Sequence, residues 1–130
     1  MIIDIHNEVF TKLKTELSPV TTLSAYNEDE PVIPCVVFEE GSNDSVLETV
    51  DTSGEFHNEL SFEVNIFTTT SEKTTKSKEL RKIVDSVLGD YYGMNRDYSG
   101  SIPAFLDNNL YRYTLRYSCK VDKNYKLYRR

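Results

Sequence analysis

The chain has 130 residues, the length of one ordinary domain. Hydrophobic residues make up 38 % and charged residues 28 %, which excludes disordered and fibrous classes, and no apolar run reaches the roughly 18 residues of a membrane span. The first residues, Met1-Ile2-Ile3-Asp4, lack the basic and apolar regions of a signal peptide, so a cytosolic product is expected. Cys35 and Cys119 lie in strand-like surroundings and are predicted to be buried free thiols.

The net charge of −6 is unevenly distributed along the chain. Residues 1–72 hold 15 acidic and two basic side chains, whereas residues 73–130 hold 13 basic and six acidic ones. The two halves either neutralise each other within the fold or form two faces of opposite sign. Two faces of opposite charge favour head-to-tail association of copies, which is the kind of contact that closes rings. They also favour electrostatic steering onto a charged partner. The acidic total argues against a nucleic-acid-binding protein.

The first segment predicts an amphipathic helix that Ser18-Pro19 ends. Residues 18–31 are predicted to form a polar loop, and residues 32–40 a strand that begins at or just after Pro34. Gly41-Ser42-Asn43-Asp44-Ser45 is typical of a turn, and a weak second strand is expected at about 46–51. The apolar positions of the helix recur at three- and four-residue steps: Ile2, Ile3, His6, Val9, Phe10, Leu13 and Leu17.

The most regular strand comes next. Strict alternation of apolar and polar residues predicts one buried face and one wet face. The apolar set is Leu60, Phe62, Val64 and Ile66, and the polar set is Glu59, Ser61, Glu63 and Asn65.

A second helix is predicted after a candidate cap at Ser71 or Thr70, with an end at Gly89 or Gly93. Residues 93–108 are expected to form a long loop, and about 109–121 a final strand. The predicted fold is a single α+β domain over residues 1–130, with a mainly antiparallel or mixed sheet of about four strands, two packed helices and the order α-β-β-β-α-β. The stripe of the second helix is Leu80, Ile83, Val84, Val87, Leu88 and Tyr91.

No catalytic constellation is evident. His6 and His57 have no partner at metal-ligand spacing, so no metal site is predicted. No motif for a cofactor occurs, and no residue set supplies nucleophile, base and orienter together. The chain is therefore expected to have no catalytic residues and no cofactor, and not to be an enzyme.

Charged and aromatic residues are better explained as contact residues. Glu59 and Glu63 lie about 13 Å apart on one strand face, too far for one site, and indicate a solvated or subunit-facing edge. Arg112 and Arg116 on the last strand can pair with them if the strands are antiparallel. Eight of the nine tyrosines follow residue 90, and tyrosine is enriched in interfaces. The predicted interface residues are Phe56, Glu59, Glu63, Tyr98, Arg112, Arg116, Tyr125, Tyr128, Arg129 and Arg130.

The order of elements carries a family resemblance over nearly the whole chain. An amphipathic first helix leads to Pro31-Val32-Ile33-Pro34-Cys35-Val36-Val37-Phe38-Glu39-Glu40, and a polar hairpin to Leu60-Ser61-Phe62-Glu63-Val64-Asn65-Ile66-Phe67-Thr68. The Lys-rich second helix and the strand Asn109–Asp122 close the pattern. This resembles the tail terminator proteins, also called tail completion or tail-to-head joining proteins, of long-tailed bacteriophages and prophages.

The resemblance implies a structural virion protein at the tail–head junction, assembled in the host cytoplasm. It implies a ring, expected to be a hexamer, that caps the tail tube, ends tube polymerisation and docks the head. The implied partners are the tail tube protein and a head-completion or connector protein, with DNA passing through the lumen without sequence-specific binding and no membrane contact. The segment 41–58 would be a projecting hairpin beside a basic, Tyr-rich tail at 122–130, and Glu59 and Glu63 are candidates for an acidic lumen wall.

Two alternatives stay open. Another phage neck component, such as a head-completion or minor capsid protein, would have the same structural role with a different docking partner. A small cytosolic ligand-binding or regulatory module would instead have a closed apolar pocket and form no ring.

Overall fold

The computed structural model describes residues 5–25, 32–46, 57–102, 110–122 and 127–128. A short 3₁₀ turn at Thr70–Glu72 precedes the second helix, and a π-helical turn at Ser86–Tyr91 continues it. The helices and strands are α1 (His6–Leu17), β1 (Thr21–Leu23), β2 (Cys35–Val46), β3 (His57–Thr69), α2 (Lys76–Asp85), β4 (Asn95–Ile102), β5 (Leu110–Asp122) and β6 (Leu127–Tyr128).

One mixed sheet joins these strands in the order β1-β2-β3-β5-β4, and β6 pairs with β5. β1 is parallel to β2, and all other pairs are antiparallel. Because β3 pairs with β5 along its whole length, β4 and β6 share the other edge of β5. The predicted single α+β domain is confirmed, with six described strands rather than about four.

Both helices pack on one face of the sheet, which we call the helix-covered face. The alternation predicted for β3 is confirmed there, since Leu60, Phe62, Val64 and Ile66 are at most 1 % exposed. The rings of Phe38 and Phe62 stack with centroids 5.1 Å apart. The helices contribute Val9, Leu13 and Leu17 from α1 and Leu80 and Val84 from α2 to the same cluster.

The first helix ends where the sequence predicts. Ser18 leaves the helical region with ψ 137°, and the described helix begins at His6. Residues 2 and 3, which the prediction included, lie outside the described residues. Neither described helix combines the length and apolarity that a membrane span requires.

Both cysteines are buried free thiols, as predicted. Burial raises the pKa of the Cys35 thiol to about 11. Burial also raises the pKa of Cys119 to about 12, with smaller contributions from the nearby charges of Glu40 and Glu59. Both thiols are therefore protonated and unreactive in the folded chain at neutral pH.

The predicted turn at 41–45 is wrong. β2 runs unbroken through it to Val46, with a β-bulge between Glu40 and Ser42. Gly41 fits this bulge because a Cβ there would lie 2.7 Å from Oγ of Ser61. Pairing with the long strand β3 thus overrides the local preference of these residues for turns. The weak second strand expected at 46–51 begins at the end of β2 and otherwise lies outside the described residues.

Two predicted loops contain strands. Thr21–Leu23, inside the predicted loop 18–31, forms β1, and Asn95–Ile102, inside the predicted loop 93–108, forms β4. β1 has only three residues, and β4 is an edge strand whose side chains are mostly exposed. Neither strand shows the apolar periodicity on which sequence prediction depends.

The ends of the second helix differ from the prediction in one respect. Thr70 and Ser71 belong to the 3₁₀ turn rather than capping α2, which begins at Lys76 without a side-chain cap. At the other end, the helical backbone continues through Gly89 and stops just before Gly93, which has a positive φ of 67°. Gly93 rather than Gly89 therefore ends the helix, since glycine adopts this conformation without steric cost.

Candidate interaction surface

The sheet face opposite the helices carries polar and charged side chains, and we call it the open face. Alternate residues of each strand point away from the core and form this face. Most of its acids come from the N-terminal strands, and its cations come from β5. The open face is made by Glu39 of β2; Glu59, Ser61, Glu63 and Asn65 of β3; Arg112, Thr114, Arg116, Ser118 and Lys120 of β5; and Tyr98 of β4.

Asn65 is the buried centre of a hydrogen-bond network on the open face. Its side-chain oxygen accepts bonds from Oγ1 of Thr114 at 2.6 Å and from Nε of Arg112 at 2.9 Å. Its amide nitrogen donates to Oε2 of Glu63 at 3.1 Å. Asn65 is only 4 % exposed and Thr114 is fully buried. The hydrogen bond between them therefore gives both buried polar side chains a partner.

An ion pair extends this network across the strands. Nε of Arg116 donates to Oε1 of Glu63 at 3.0 Å, and the two residues are direct partners in the β3–β5 register. The Arg116 guanidinium lies 5.3 Å from the ring centroid of Tyr98 on β4. The cross-strand ion pair expected from the sequence is thus confirmed for Glu63 and Arg116, whereas Glu59 lies opposite Lys120.

Glu63 is held in its charged form by this network. Its partial burial alone would raise the pKa, but hydrogen bonds from Asn65 and Arg116 and the charges of Arg116 and Arg112 outweigh that effect. The pKa of Glu63 therefore lies below its ordinary value of 4.5. The carboxylate is ionised throughout the physiological range.

One end of the open face is closed by apolar packing. Cys35, Val37 and Phe67 form a small second cluster with Leu23, Ile33 and Leu110. Side chains beyond this cluster are more accessible: Arg116 has 54 % and Glu63 27 % of its side chain exposed. The accessible part of the open face therefore runs from the row of Glu63 and Arg116 toward Glu59 and Lys120.

A groove of about 340 Å³ lies on this accessible part, and Phe62 and Tyr117 contribute apolar surface to its lining. Small residues, Gly41 and Ser61, form part of its lining. Glu39, Glu63 and Asp97 add carboxylates, and Arg116 adds a cation. The groove is lined by both charged and apolar side chains.

A second polar cluster joins α2 to the strands beneath it. The Tyr117 hydroxyl donates to Oδ1 of Asp85 at 2.8 Å, and the Arg81 guanidinium lies 3.8 Å from the ring centroid of Tyr113. The hydroxyls of Tyr113 and Ser99 lie 2.6 Å apart. Tyr117 is buried in the core and Tyr113 packs against it, and the hydroxyls of both tyrosines form polar contacts at the rim of the core.

The structure brings together four of the ten predicted interface residues: Glu63, Arg112, Arg116 and Tyr98. Glu59 shares the same face two rows away, opposite Lys120. The backbone of Tyr128 pairs with Lys120 in β6. The remaining predicted residues, Phe56, Tyr125, Arg129 and Arg130, lie outside the described residues.

Sequence reasoning missed Glu39 as a member of this surface, and it missed the burial of Asn65 and Thr114 within it. Asn65 was placed on a wet face, but it is buried because the long side chain of Arg112 and the hydroxyl of Thr114 bond to it. The signal in the sequence that could have indicated this burial is the position of Asn65, an uncharged polar residue within the most regular strand. The described open face is also mixed in charge rather than an acidic wall, since Glu63 is paired with a cation of the same chain.

Comparison with known proteins gives no further guide to this surface. No protein-family model matches the chain, and no curated protein sequence matches it. Its functional interpretation therefore depends on the residues and the fold.

Proposed function

We propose that the chain is a structural virion protein that forms a ring on the end of a phage tail tube, ends tube polymerisation and provides the surface on which the head docks. The order of elements and the strand patterns support this proposal by their resemblance to tail terminator proteins. The fold that the resemblance implies, a mixed sheet with two helices on it, is the fold of the described residues.

The observation that carries the proposal is the separation of charge across the sheet. The N-terminal strands β1, β2 and β3 form one side, and the C-terminal strands β4, β5 and β6 form the other. Described residues up to 72 include eight acids and two bases, and those from 73 onward include nine bases and five acids. The uneven charge of the sequence is therefore uneven in space.

The helices follow the same division. His6 and Phe10 of α1 lie against Phe38 on β2, whereas Arg81 of α2 stacks on Tyr113 of β5. The described part of α1 holds two acids and two bases, so the acidity of its side comes from the strands, and the acidic and basic sides are neighbours within one subunit. Each presents its outer side to other molecules.

A head-to-tail contact fits this arrangement. Among the described strands, β4 has no partner on its outer edge, and β2 has none beyond the three residues that β1 covers. The bases of β5 and α2 in one copy can attract the acids of β2 in the next across the β4 edge, which itself carries one base and one acid, and repetition of such a heterologous contact closes a ring. We expect six copies, with tail tube protein on one side of the ring and a head-completion or connector protein on the other.

DNA would pass through the lumen of this ring without base-specific contacts. Glu59 and Glu63 are candidates to face the lumen. The charge of Glu63 is partly compensated by Arg116. Because Arg116 and Lys120 lie opposite these two acids, the four side chains carry no net charge to attract phosphates, and the duplex would slide past them.

Electron microscopy of particles tests the proposal. Gold-labelled antibody against the chain should mark the head–tail junction of virions, and deletion of the gene should give over-long tails without heads. Label at the junction with normal tail lengths and leaky or tailless heads would favour a head-completion protein instead. Absence of label from every particle would exclude a virion role and favour a small cytosolic module.

A further inference from the structure

The charges of the open face are arranged in two columns. Along β3, Glu59 and Glu63 form an acidic column, and along β5, Lys120 and Arg116 form a basic one. The register sets each acid directly opposite a base, Glu63 opposite Arg116 and Glu59 opposite Lys120. The boundary between β3 and β5 therefore separates an acidic column from a basic one, and Asp97 of β4 adds one carboxylate outside the basic column.

Such a pattern is complementary to its own copy. Consider a two-fold axis that lies between two facing sheets, parallel to the strands and above the β3–β5 boundary. It places β3 of the copy over β5 and β5 of the copy over β3, and it leaves each residue at the same height along the strands. It sets Glu63 of each copy over Arg116 of the other, and Glu59 over Lys120. A two-fold axis perpendicular to the strands would instead set acid over acid, so the charges favour one orientation.

We propose that the open face binds the open face of a second copy of this chain about this axis. Facing sheets lie about 10 Å apart, a spacing that glutamate and arginine side chains from both sides bridge. Each Arg116 guanidinium then lies between two carboxylates, Glu63 of its own chain and Glu63 of the copy. Tyr98, 40 % exposed beside Arg116, provides an aromatic contact at the margin.

The size of the surface makes this a weak dimer. Four strands about 4.8 Å apart and roughly 20 Å of strand length give about 400 Å² per subunit, half of the roughly 800 Å² per partner of a stable complex. Exposed ion pairs contribute little each and are screened by salt. We therefore expect a dissociation constant in the micromolar range or weaker, and at least tenfold weakening between about 20 mM and 500 mM salt.

This contact differs from the ring contact and does not depend on the proposed function. The ring uses the outer sides of the sheet head to tail, whereas the dimer uses the open face and is two-fold. A dimer would cover the open face of free subunits until another partner displaces the second copy.

Sedimentation equilibrium of the purified full chain tests the proposal through charge reversal. Glu63→Arg gives an open face with two cations in the central row, and Arg116→Glu gives one with two anions. Each variant alone should be monomeric, whereas an equimolar mixture should form a heterodimer, because every pair is then complementary. The double variant E63R/R116E has a base on β3 and an acid on β5. Each base then lies over an acid of the second copy, as in the wild type, so the double variant should dimerise like the wild type.

The controls change equal charges elsewhere. Glu79→Arg and Lys82→Glu, both exposed on α2, should leave dimerisation unchanged. Loss of the Glu63–Arg116 pair could unfold the chain, so the same charge reversals are repeated at Glu59 and Lys120, where that pair stays intact. A wild-type chain that stays monomeric at millimolar concentration and low salt would overturn the proposal. So would a dimer that either single reversal leaves intact, or folded variants that fail to associate when mixed.

Discussion

The two faces of one sheet differ in what their side chains do, and β3 contributes to both. On the helix-covered face, Leu60, Phe62, Val64 and Ile66 are buried against the two helices. On the open face, alternate residues of the same strand form hydrogen bonds and an ion pair with β5. One strand thus combines an apolar packing surface with a polar contact surface.

The comparison separates the residues that hold the fold from those available for recognition. Removing buried apolar atoms loses the transfer free energy and leaves a cavity, whereas exposed charges contribute little to stability. The exposed charges of the open face can therefore change without loss of the fold, whereas its buried residues Asn65 and Thr114 contribute to stability.

Phe62→Ala should destabilise the chain by about 3–5 kcal/mol, because Phe62 is 1 % exposed and stacks on Phe38. Urea unfolding followed by circular dichroism measures the change. The matched control is Glu59→Ala on the same strand and opposite face, for which a change within about 0.5 kcal/mol is expected. Comparable losses for the two variants would contradict the division between the faces.

Asn65→Ala should cost about 1–3 kcal/mol, since it leaves the buried Thr114 hydroxyl without its acceptor. The double variant N65A/T114V removes both groups and should recover part of that loss. A double-mutant cycle from urea unfolding gives the coupling free energy between the two residues. Strictly additive effects would show that the hydrogen bond does not stabilise the open face.

The ion pair of Glu63 should give a small, pH-dependent contribution of at most about 1 kcal/mol, since both partners are partly exposed. The pKa of Glu63 is depressed in the folded chain, so its stabilisation is present above pH 4.5 and is lost as the pH falls through the folded-state pKa. The stability difference between wild type and Glu63→Gln should therefore shrink toward zero in acid. A difference that stays constant down to pH 2.5 would contradict the assignment.

Tyr98→Ala should change stability least, by about 0.5 kcal/mol or less, because its contact with Arg116 is an exposed cation–π contact. Thermal unfolding measures the effect. A loss above about 2 kcal/mol would place Tyr98 among the residues that hold the fold rather than on a contact surface.

The helix-covered face was predictable because burial leaves a periodic trace in the sequence. The stripes of α1 and α2 and the alternation of β3 and β5 each follow from the geometry of a helix or strand against a core. The pairing of Glu63 with Arg116 followed from the same alternation once the two strands were taken as antiparallel. Regular elements with one apolar side therefore gave correct faces, except at Tyr91. The π-helical turn Ser86–Tyr91 shifts the face of the helix, so that Tyr91 is 55 % exposed and Tyr92 is buried instead.

The rest depended on partners distant in sequence. The turn-forming residues 41–45 become strand because β3 lies beside them, and β4 becomes strand because β5 offers it an edge. Asn65 is buried because Arg112, 47 positions away, bonds to it. Such outcomes are set by tertiary contacts, for which local patterns carry no signal.

A reconstruction of the head–tail junction of particles from the source strain, by electron cryomicroscopy, tests the central claim most directly. The account predicts a closed ring of copies of this chain at the end of the tail tube, with the β4 side of each subunit against the β1–β2 side of the next. A junction without this chain, or a ring whose subunits meet through like-charged sides, would contradict it.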